Sequence, residues 1–397
     1  EQVQLSNQNL AAAVAAYAQA QAVVRQQRAG LLPSVSLSGG ATRSGGEGAS
    51  RSGTTTQASL GVDWAPDLWG RLESGVNNAQ ASAQASEADL ASARLSAVGS
   101  LASAYFQLRE ADAEIGLLQA TVEGYERSLQ IARNRYAAGV VAQTDVLQAQ
   151  TQLANARADL ATARQNRARF EHALAVLTGQ APSDFVVPSA PWVAQVPEVP
   201  PGVPSTLLQR RPDIASAERA VAAANAQIGI QRAAYFPSLS LGATLGSGGS
   251  SVADLFKASG TVWSLGLSIA QTVFDAGATA ARVEEAQAAR DARVAVYRQT
   301  VLTAFQSVED QLTVLRTLRE QEPLRREAVS AAERTAQQLL NRYREGQVGY
   351  TEVVTAQVSA LSAQRALLQL QVNRQLAVVA LVQALGGGWQ APWQPPA

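Results

Sequence analysis

The feature that most constrains this chain is a segment that occurs twice, at residues 134–150 and 341–357, with a constant offset of 207 residues. Both copies contain Asn-Arg-Tyr, a glycine three residues after the tyrosine, and a later Thr-acid-Val run. Each glycine, Gly139 or Gly346, joins two long helical patterns. Glycine suits a position where a chain leaves a helix through a left-handed conformation. The sequence therefore predicts two related helical hairpins and an internal two-fold repeat.

The helical and strand patterns occur in the same order around both glycines. The first repeat is predicted at 1–179, with a helix to residue 30, two strands within 31–66, a long helix at 71–138 and a return helix at 143–179. The second is predicted at 212–386, with a helix at 212–232, two strands within 235–274, a long helix at 277–345 and a return helix at 350–386. A proline-rich linker at 180–211 and a tail at 387–397 complete the chain.

The first long helix carries a coiled-coil seam. One set of residues is spaced by seven, and a second set lies three residues further on: Leu101, Leu108, Ile115, Val122, Leu129 and Tyr136, then Ala104, Ala111, Leu118, Tyr125 and Ala132. This period indicates packing against neighbouring helices. In the second long helix, Pro323 is expected to kink or break the helix, because proline lacks a backbone N–H.

Composition excludes several classes of function. The chain has no cysteine, which removes disulfides and thiolate chemistry, and its net charge of zero offers no basic field for nucleic acid. The single histidine, His172, lies in a helical pattern and is interpreted as an ordinary helix residue. No apolar run reaches the ~18 residues of a membrane-spanning helix. The chain starts within a helical pattern, so we expect any targeting segment or lipidated cysteine to lie outside it.

The four predicted strands have the pattern of a transmembrane β-barrel. They lie at 34–40, 59–64, 237–245 and 262–273, and apolar residues alternate with small polar ones. In the third strand, one face would contact lipid and the other would line a lumen: Leu239, Leu241, Ala243 and Leu245, against Ser238, Ser240, Gly242 and Thr244. The aromatic residues at the helix-side ends suit a membrane interface: Trp64, Trp69, Tyr235, Phe236 and Phe274. The alternative is a soluble sheet on a helical stalk.

Four strands cannot close a barrel, and an open sheet edge is not viable in lipid. Other copies of the chain must therefore complete the sheet. A dimer would give eight strands and a filled interior, whereas a trimer would give twelve strands and room for a conduit. The helices of each copy would then continue the barrel as a helical tube.

At this point the residues resemble a known family. Residues 210–241 read RRPDIASAERAVAAANAQIGIQRAAYFPSLSL, and the strand-to-helix turns read PDLWGR and FDAGA. Together with the two tip motifs and the terminal ALGGGW, they are similar to outer-membrane efflux channels of the OprM/NodT type, relatives of TolC. The resemblance covers essentially the whole chain, in order and in duplicate.

The resemblance implies a mainly α fold with a transmembrane β-barrel portion: a homotrimeric 12-stranded β-barrel in outer-membrane lipid, continued by a 12-helix α-barrel across the periplasm. It implies a passive exit duct without a cofactor. The partners would be a periplasmic membrane-fusion adaptor protein and an inner-membrane transporter of the RND type. Adaptor docking is expected at the tips, at Gly139, Val140, Gly346, Gln347 and Val348. Family members commonly carry an N-terminal lipidated cysteine, which this sequence does not contain.

The resemblance also implies a periplasmic gate. Tyr343 and Asp145 match a tyrosine and an aspartate that form a hydrogen bond in TolC-like channels and hold the tip closed, and the repeat offers Tyr136 and Glu352 as a second pair. The chain departs from the family at an aspartate ring in a Leu-Asp-Ala-Gln context, because Thr355 and Gln148 stand at those positions. An acidic constriction would then be missing or relocated to Glu352 and Asp145.

Two other classes of function compete with an exit duct. A periplasmic coiled-coil adaptor or scaffold also uses long hairpins, but no lipoyl-like β domain lies between the hairpin arms here. An enzyme is disfavoured, because the sequence shows no clustered acids and histidines for acid–base or metal chemistry. The glycine-rich segment at 246–251 lacks the lysine of a phosphate-binding loop and is predicted to be a surface loop.

Overall fold

The computed structural model of the protein describes residues 6–45, 53–192 and 210–389. It contains six α-helices and four β-strands within those ranges. In chain order they are α1 (Gln8–Ala29), β1 (Ser34–Ser44), β2 (Gly53–Trp64), α2 (Arg71–Ala137), α3 (Gln143–Leu177), α4 (Pro212–Ala233), β3 (Ser238–Gly249), β4 (Thr261–Ala270), α5 (Ala278–Arg344) and α6 (Tyr350–Ala384). Two short 3₁₀ helices, Val252–Phe256 and Ala258–Gly260, connect β3 to β4.

Corresponding helices of the two halves have equal lengths. The short helices α1 and α4 each have 22 residues, the long helices α2 and α5 each have 67, and the return helices α3 and α6 each have 35. Each return helix therefore covers about half of the long helix that precedes it, because all α-helices rise by the same distance per residue.

The chain divides into two compact units. We call the first the hairpin unit, which comprises Glu1–Ala13, Leu90–Pro212 and Val301–Ala397, and the second the sheet unit, which comprises Val14–Asp89 and Asp213–Thr300.

The hairpin unit has its largest cluster of buried residues near the two interhelical turns. That cluster includes Tyr125, Leu129, Val146, Tyr343 and Tyr350. Smaller clusters lie along the helices, around Leu118 with Leu160 and around Leu108 with Leu174. Packing of α2 along the predicted seam thus places apolar side chains inside the unit.

The sheet unit contains a single antiparallel sheet with the order β1-β2-β3-β4. Residues that pair across strands share a face, and one such row consists of Leu37, Leu60, Leu245 and Trp263. The opposite face carries small polar residues that bond to each other, for example the hydroxyls of Ser38 and Ser59 at 2.8 Å. All residues of the two edge strands, β1 and β4, are exposed. The sheet therefore has one apolar face, one polar face and two edges without a partner strand in the described part of the chain.

The predicted strand boundaries were wrong at several ends. Residues 41–44 and 53–58 lie outside the predicted strands but are paired, because the ladder of β1 with β2 continues to Ser44 opposite Gly53. Residues 246–249 of the predicted glycine-rich surface loop belong to β3. The fourth strand ends at Ala270, short of the predicted residue 273, because Ala270 pairs with Ser238 and the preceding Pro237 has no N–H to continue the ladder.

Two helix predictions also need correction. Pro323 lies inside α5 without ending it, so a break is wrong, and a kink at this position stays a prediction. A proline removes one intrahelical hydrogen bond, and a helix of 67 residues tolerates that loss. The seam residues Leu108, Leu118 and Leu129 are buried as predicted, but Tyr136 is exposed because α2 ends one residue later. Residues 193–209 of the predicted linker and 390–397 of the tail lie outside the described residues.

Candidate functional site

The site is built on two turns of the same construction. Gly139 and Gly346 have positive φ angles of 72° and 78°, as the sequence predicted. In the first turn, the N–H of Gly139 donates to the carbonyl of Tyr136, and the N–H of Val140 donates to that of Arg135, each at 2.9 Å. The second turn repeats both bonds with the same lengths. This is a Schellman motif, which closes a helix with a glycine and satisfies its last carbonyls.

Tyr343 lies at the centre of the buried cluster at the tips. Its side chain is 1% exposed, and its hydroxyl donates to the Asp145 carboxylate at 3.2 Å. Tyr343 belongs to the last turn of α5 and Asp145 to the first turn of α3, so the bond joins the second hairpin to the first. The structure thus brings together the first pair of residues predicted for the gate.

Burial shapes the chemistry of Tyr343. Desolvation raises the pKa of its phenol to about 12, and the nearby negative charge of Asp145 and the hydrogen bond to it act in the same direction. The guanidinium of Arg135 opposes this rise. The phenol is therefore a proton donor throughout the physiological range.

Tyr350, the first residue of α6, packs against Tyr343. Their ring centroids are 5.1 Å apart and the rings are tilted by 59°. The Tyr350 side chain is 1% exposed, and its hydroxyl has no hydrogen-bond partner among the described residues. Burial also raises the pKa of the Tyr350 phenol. The cluster therefore holds one tyrosine whose hydroxyl is bonded and one whose hydroxyl is not.

Arg135, near the end of α2, lies over the ring of Tyr343. Its guanidinium carbon lies 4.7 Å from the centroid of the Tyr343 ring, and its Nη1–H donates to the carbonyl of Tyr343. Three helices, α2, α3 and α6, thus contribute side chains that contact this one residue of α5.

The second pair predicted for the gate is not brought together in the same way. Tyr136 is 46% exposed and Glu352 is exposed, and no hydrogen bond joins them in the part of the chain that the structure describes. Glu352 instead lines an open groove between α5 and α6, together with Thr351, Thr355 and Leu339. Gln148 accepts a hydrogen bond from the hydroxyl of Thr351 at 3.2 Å, so it too bridges the two hairpins.

The residues predicted to dock an adaptor lie at the ends of the hairpins. Gly139, Val140, Gly346 and Gln347 are exposed, and 62% of the Val140 side chain is accessible. Val348 is half-buried against the tip cluster. Each turn therefore offers an exposed side chain next to its glycine.

The predicted interface aromatics belong to the sheet unit. Trp69 stacks on Phe236 at 4.8 Å, and its indole N–H donates to the carbonyl of Pro237 at 2.6 Å. The indole N–H of Trp64 donates to the carbonyl of Leu31 at 3.0 Å. Tyr235 is half exposed and Phe274 is largely exposed. These aromatic residues combine accessible rings with satisfied indole N–H groups.

None of the helices in the described ranges combines the length and the apolar character needed to cross a membrane. Within the same ranges, no group of three or more His, Cys, Asp or Glu side chains could hold a metal ion. His172 is an exposed residue of α3.

Sequence reasoning missed Arg135 and Tyr350 as parts of the site. Both copies of the tip motif have an arginine at this position, Arg135 in the first and Arg342 in the second. The sequence therefore gave no reason to single out Arg135. Tyr350 could have been noticed, because the matching position of the first copy is Gln143. A large aromatic that breaks a repeat indicates a position where the two copies differ in packing.

The fold and the tip define a class of protein: paired helical hairpins joined to a four-stranded antiparallel sheet with one apolar face. The outer membrane efflux protein family matches residues 1–180 and 203–387 of this chain. The chain belongs to that family, whose members are transport conduits rather than enzymes. It is accordingly the outer-membrane exit duct of an efflux system, and the adaptor or scaffold alternative is set aside.

Individual relatives agree with this assignment. The chain is 35% identical over 373 residues to the probable efflux pump outer membrane protein TtgC of Pseudomonas putida, a match that covers 92% of this chain and 77% of TtgC. The solved structure of the outer-membrane channel OprN superposes with a TM-score of 0.88 at 31% identity, over 98% of this chain and 89% of OprN. The open state of the Neisseria gonorrhoeae MtrE channel superposes with a TM-score of 0.86 at 28% identity, over 99% of this chain and 89% of MtrE.

Proposed function

We propose that three copies of this chain form a 12-stranded β-barrel in the outer membrane and a 12-helix α-barrel in the periplasm, and that the two halves of each copy are structural repeats. The assembled duct passively conducts small molecules, such as drugs, toxic compounds or metals, that an RND-type inner-membrane pump delivers through an adaptor. Relatives named as efflux pump and pyoverdine export proteins support export of small molecules.

The faces and edges of the sheet are the main support for the trimeric barrel. It has one apolar face and one face of small polar residues, and both edge strands are exposed. An open edge cannot remain unpaired in lipid, since each free N–H and C=O would cost several kcal/mol there. Pairing β1 of one copy with β4 of the next removes both edges, and three copies give a lumen wide enough to conduct. The aromatic residues Trp64, Trp69, Tyr235, Phe236 and Phe274 would then form the girdle at one membrane surface.

The experiment compares neighbouring residues of β3 that point to opposite faces. Leu241→Arg places a charge on the proposed lipid face and should cost about 2–4 kcal/mol if the site is at the bilayer midplane. Ser240→Arg, one residue away, would point into the lumen and should cost little. Folded trimer is measured by heat-modifiable migration of detergent-extracted protein on a gel. Equal tolerance of both substitutions, or a heat-stable species of monomer size in the wild type, would contradict the proposal.

We infer that the turns around Gly139 and Gly346 dock the adaptor, since they are the exposed ends of both hairpins. A bulky substitution at Val140 or Gln347 should abolish export while leaving the trimer folded, because both residues are exposed. Drug resistance of a channel-deficient strain complemented with each variant measures the effect. Substitution of the exposed His172 to a bulky residue, away from the turns, is the control. Unchanged resistance in both tip variants would argue against docking at the turns.

We further propose that the bond of Tyr343 with Asp145 is a latch that holds the tip closed. A hydrogen bond to a charged group contributes about 1.5–3 kcal/mol, and three copies would bias a two-state tip strongly. Adaptor docking would separate the two residues and let the hairpins move apart. Gln148 and Thr355 supply no acidic ring, so Asp145 and Glu352 would provide the negative charge near the constriction. The open state known for MtrE supports a second conformation for this fold.

A further inference from the structure

We propose that Arg135 is a second component of the tip latch, a positioning residue that fixes the end of α5 to α2. This inference rests on the proposed gate and adds a further contact with Tyr343. The bond with Asp145 holds Tyr343 by its hydroxyl. Arg135 contacts the face of the Tyr343 ring and donates a hydrogen bond to the Tyr343 carbonyl.

The Arg135 guanidinium makes two contacts with Tyr343 and lies beside the second turn. Its carbon lies 4.7 Å from the centroid of the Tyr343 ring, and one N–H donates to the Tyr343 carbonyl. Its Nη2 would be 3.3 Å from a Cβ added at Gly346. The planar guanidinium thus fits into the space between the tyrosine ring and the second turn. Arginine suits this place better than lysine, because its flat fork can stack and donate at once.

The carbonyl that Arg135 binds belongs to the C-terminal turn of α5. Carbonyls at the end of a helix lack intrahelical partners and carry the negative end of the helix dipole. The Tyr343 carbonyl also accepts from the N–H of Gly346 at 2.9 Å, the bond that forms the turn. A cation at this point therefore stabilises both the helix end and the turn, and it ties them to a residue of the other hairpin.

The matching arginine of the second hairpin does not return this contact. Arg342 bonds within its own turn, to the side-chain oxygen of Gln347 at 3.4 Å. The tie is thus made from the first hairpin to the second. Separation of the two tips must break the Arg135 contacts as well as the Tyr343 bond with Asp145. A Tyr343→Phe variant removes only the hydroxyl bond, so the Arg135 contacts would remain in it.

The test measures hydrogen–deuterium exchange of the full detergent-solubilised protein by mass spectrometry. In Arg135→Met, peptides that cover residues 341–350 should exchange about tenfold faster or more, the factor given by losing a hydrogen bond to a charged group. Arg135→Lys should give a smaller increase, since the charge remains without the planar fork. The matched control is Arg342→Met, which should leave exchange in peptides covering 134–143 unchanged.

Single-channel conductance then separates this inference from the gate itself. Faster exchange at 341–350 together with more frequent opening supports both. Faster exchange with wild-type conductance shows that the tie does not hold the tip closed and overturns Arg135 as part of the latch, whereas the bond of Tyr343 with Asp145 is left intact in these variants. Wild-type exchange in both Arg135→Met and Arg135→Lys overturns the inference, whatever the conductance. Wild-type exchange in peptides from the sheet unit shows that the variants are folded, and Arg135→Gln replaces Arg135→Met if they are not.

Discussion

Tyr343 and Tyr136 occupy matching positions in the two copies of the tip motif, yet Tyr343 is 1% exposed and Tyr136 is 46% exposed. Both residues lie three positions before a glycine of positive φ, and both carbonyls accept from that glycine at 2.9 Å. The backbone of the two tips is therefore the same. The surroundings of the side chains differ.

Three neighbours distinguish the two tyrosines. Tyr343 contacts Tyr350, Arg135 and Asp145, whereas the residues that match Tyr350 and Asp145 in the other copy are Gln143 and Glu352. Gln143 is exposed and offers no ring. The two turns thus share the same backbone hydrogen bonds, but different neighbours leave one tyrosine buried and the other about half exposed.

The largest expected difference concerns stability. Tyr343→Ala removes a buried ring and should lower the free energy of unfolding by about 3–5 kcal/mol, the usual cost of losing a large aromatic side chain from a core. Tyr136→Ala should change it by less than about 0.5 kcal/mol, because nearly half of the residue is exposed and it lies outside the buried tip cluster. Urea unfolding of the purified protein, followed by circular dichroism, measures both. Losses of similar size would show that the two tips are equivalent in solution.

The next difference concerns opening. Tyr343→Phe and Asp145→Ala should each increase the frequency of opening or the conductance in planar bilayers, with no further gain in the double variant, because both remove the same bond. Tyr136→Phe and Glu352→Ala are the matched controls and should behave as wild type. If Tyr343→Phe, Asp145→Ala and the double variant all conduct as the wild type does, the latch is excluded and Tyr343 is a packing residue.

Alkaline pH should affect the wild-type channel and the Tyr343→Phe variant differently. The folded pKa of Tyr343, about 12, lies above the ordinary value of 10.0, so the folded tip favours the protonated phenol. Its contribution to stability is complete below about pH 10 and is lost as the pH rises through about 12. Opening of the wild-type channel should therefore increase over this window, and Tyr343→Phe should lack that step. If opening of Tyr343→Phe increases by the same amount over this pH range, the increase is caused by the titration of another group.

The smallest expected effect is a gain in the free energy of unfolding, in contrast to the loss expected for Tyr343→Ala. Tyr350→Phe keeps the ring that packs on Tyr343 and removes a buried hydroxyl without a partner among the described residues. Leaving a buried polar group unpaired is unfavourable, so the variant should gain up to about 1 kcal/mol in the free energy of unfolding. Gln143→Leu, at the matching exposed position, is the control and should gain nothing comparable. Destabilisation by Tyr350→Phe would mean that its hydroxyl is bonded after all.

Some elements of the structure could be predicted from the sequence and others could not. The glycines of both turns, the helices on either side of them and the buried residues of the α2 seam follow from local rules: glycine permits positive φ, and a period of seven marks a packed helix face. The strand ends were predicted less well. Gly, Ser and Thr residues at the facing ends of β1 and β2 have loop propensity, but cross-strand pairing as far as Ser44 and Gly53 overrides it. Pro323 likewise lies within a helix that continues through it.

The sequence by itself determined the two glycine turns and the alternation of the strands, because each depends on residues close together in the chain. It also suggested Tyr343 with Asp145, through a resemblance rather than through geometry. Only the tertiary structure decided which of two equivalent tyrosines is buried and which arginine reaches across. Those choices depend on contacts such as Arg135 with Tyr343, whose partners lie 208 residues apart in sequence. Local propensity carries no information about such pairs, since their energy arises only when four helices pack together.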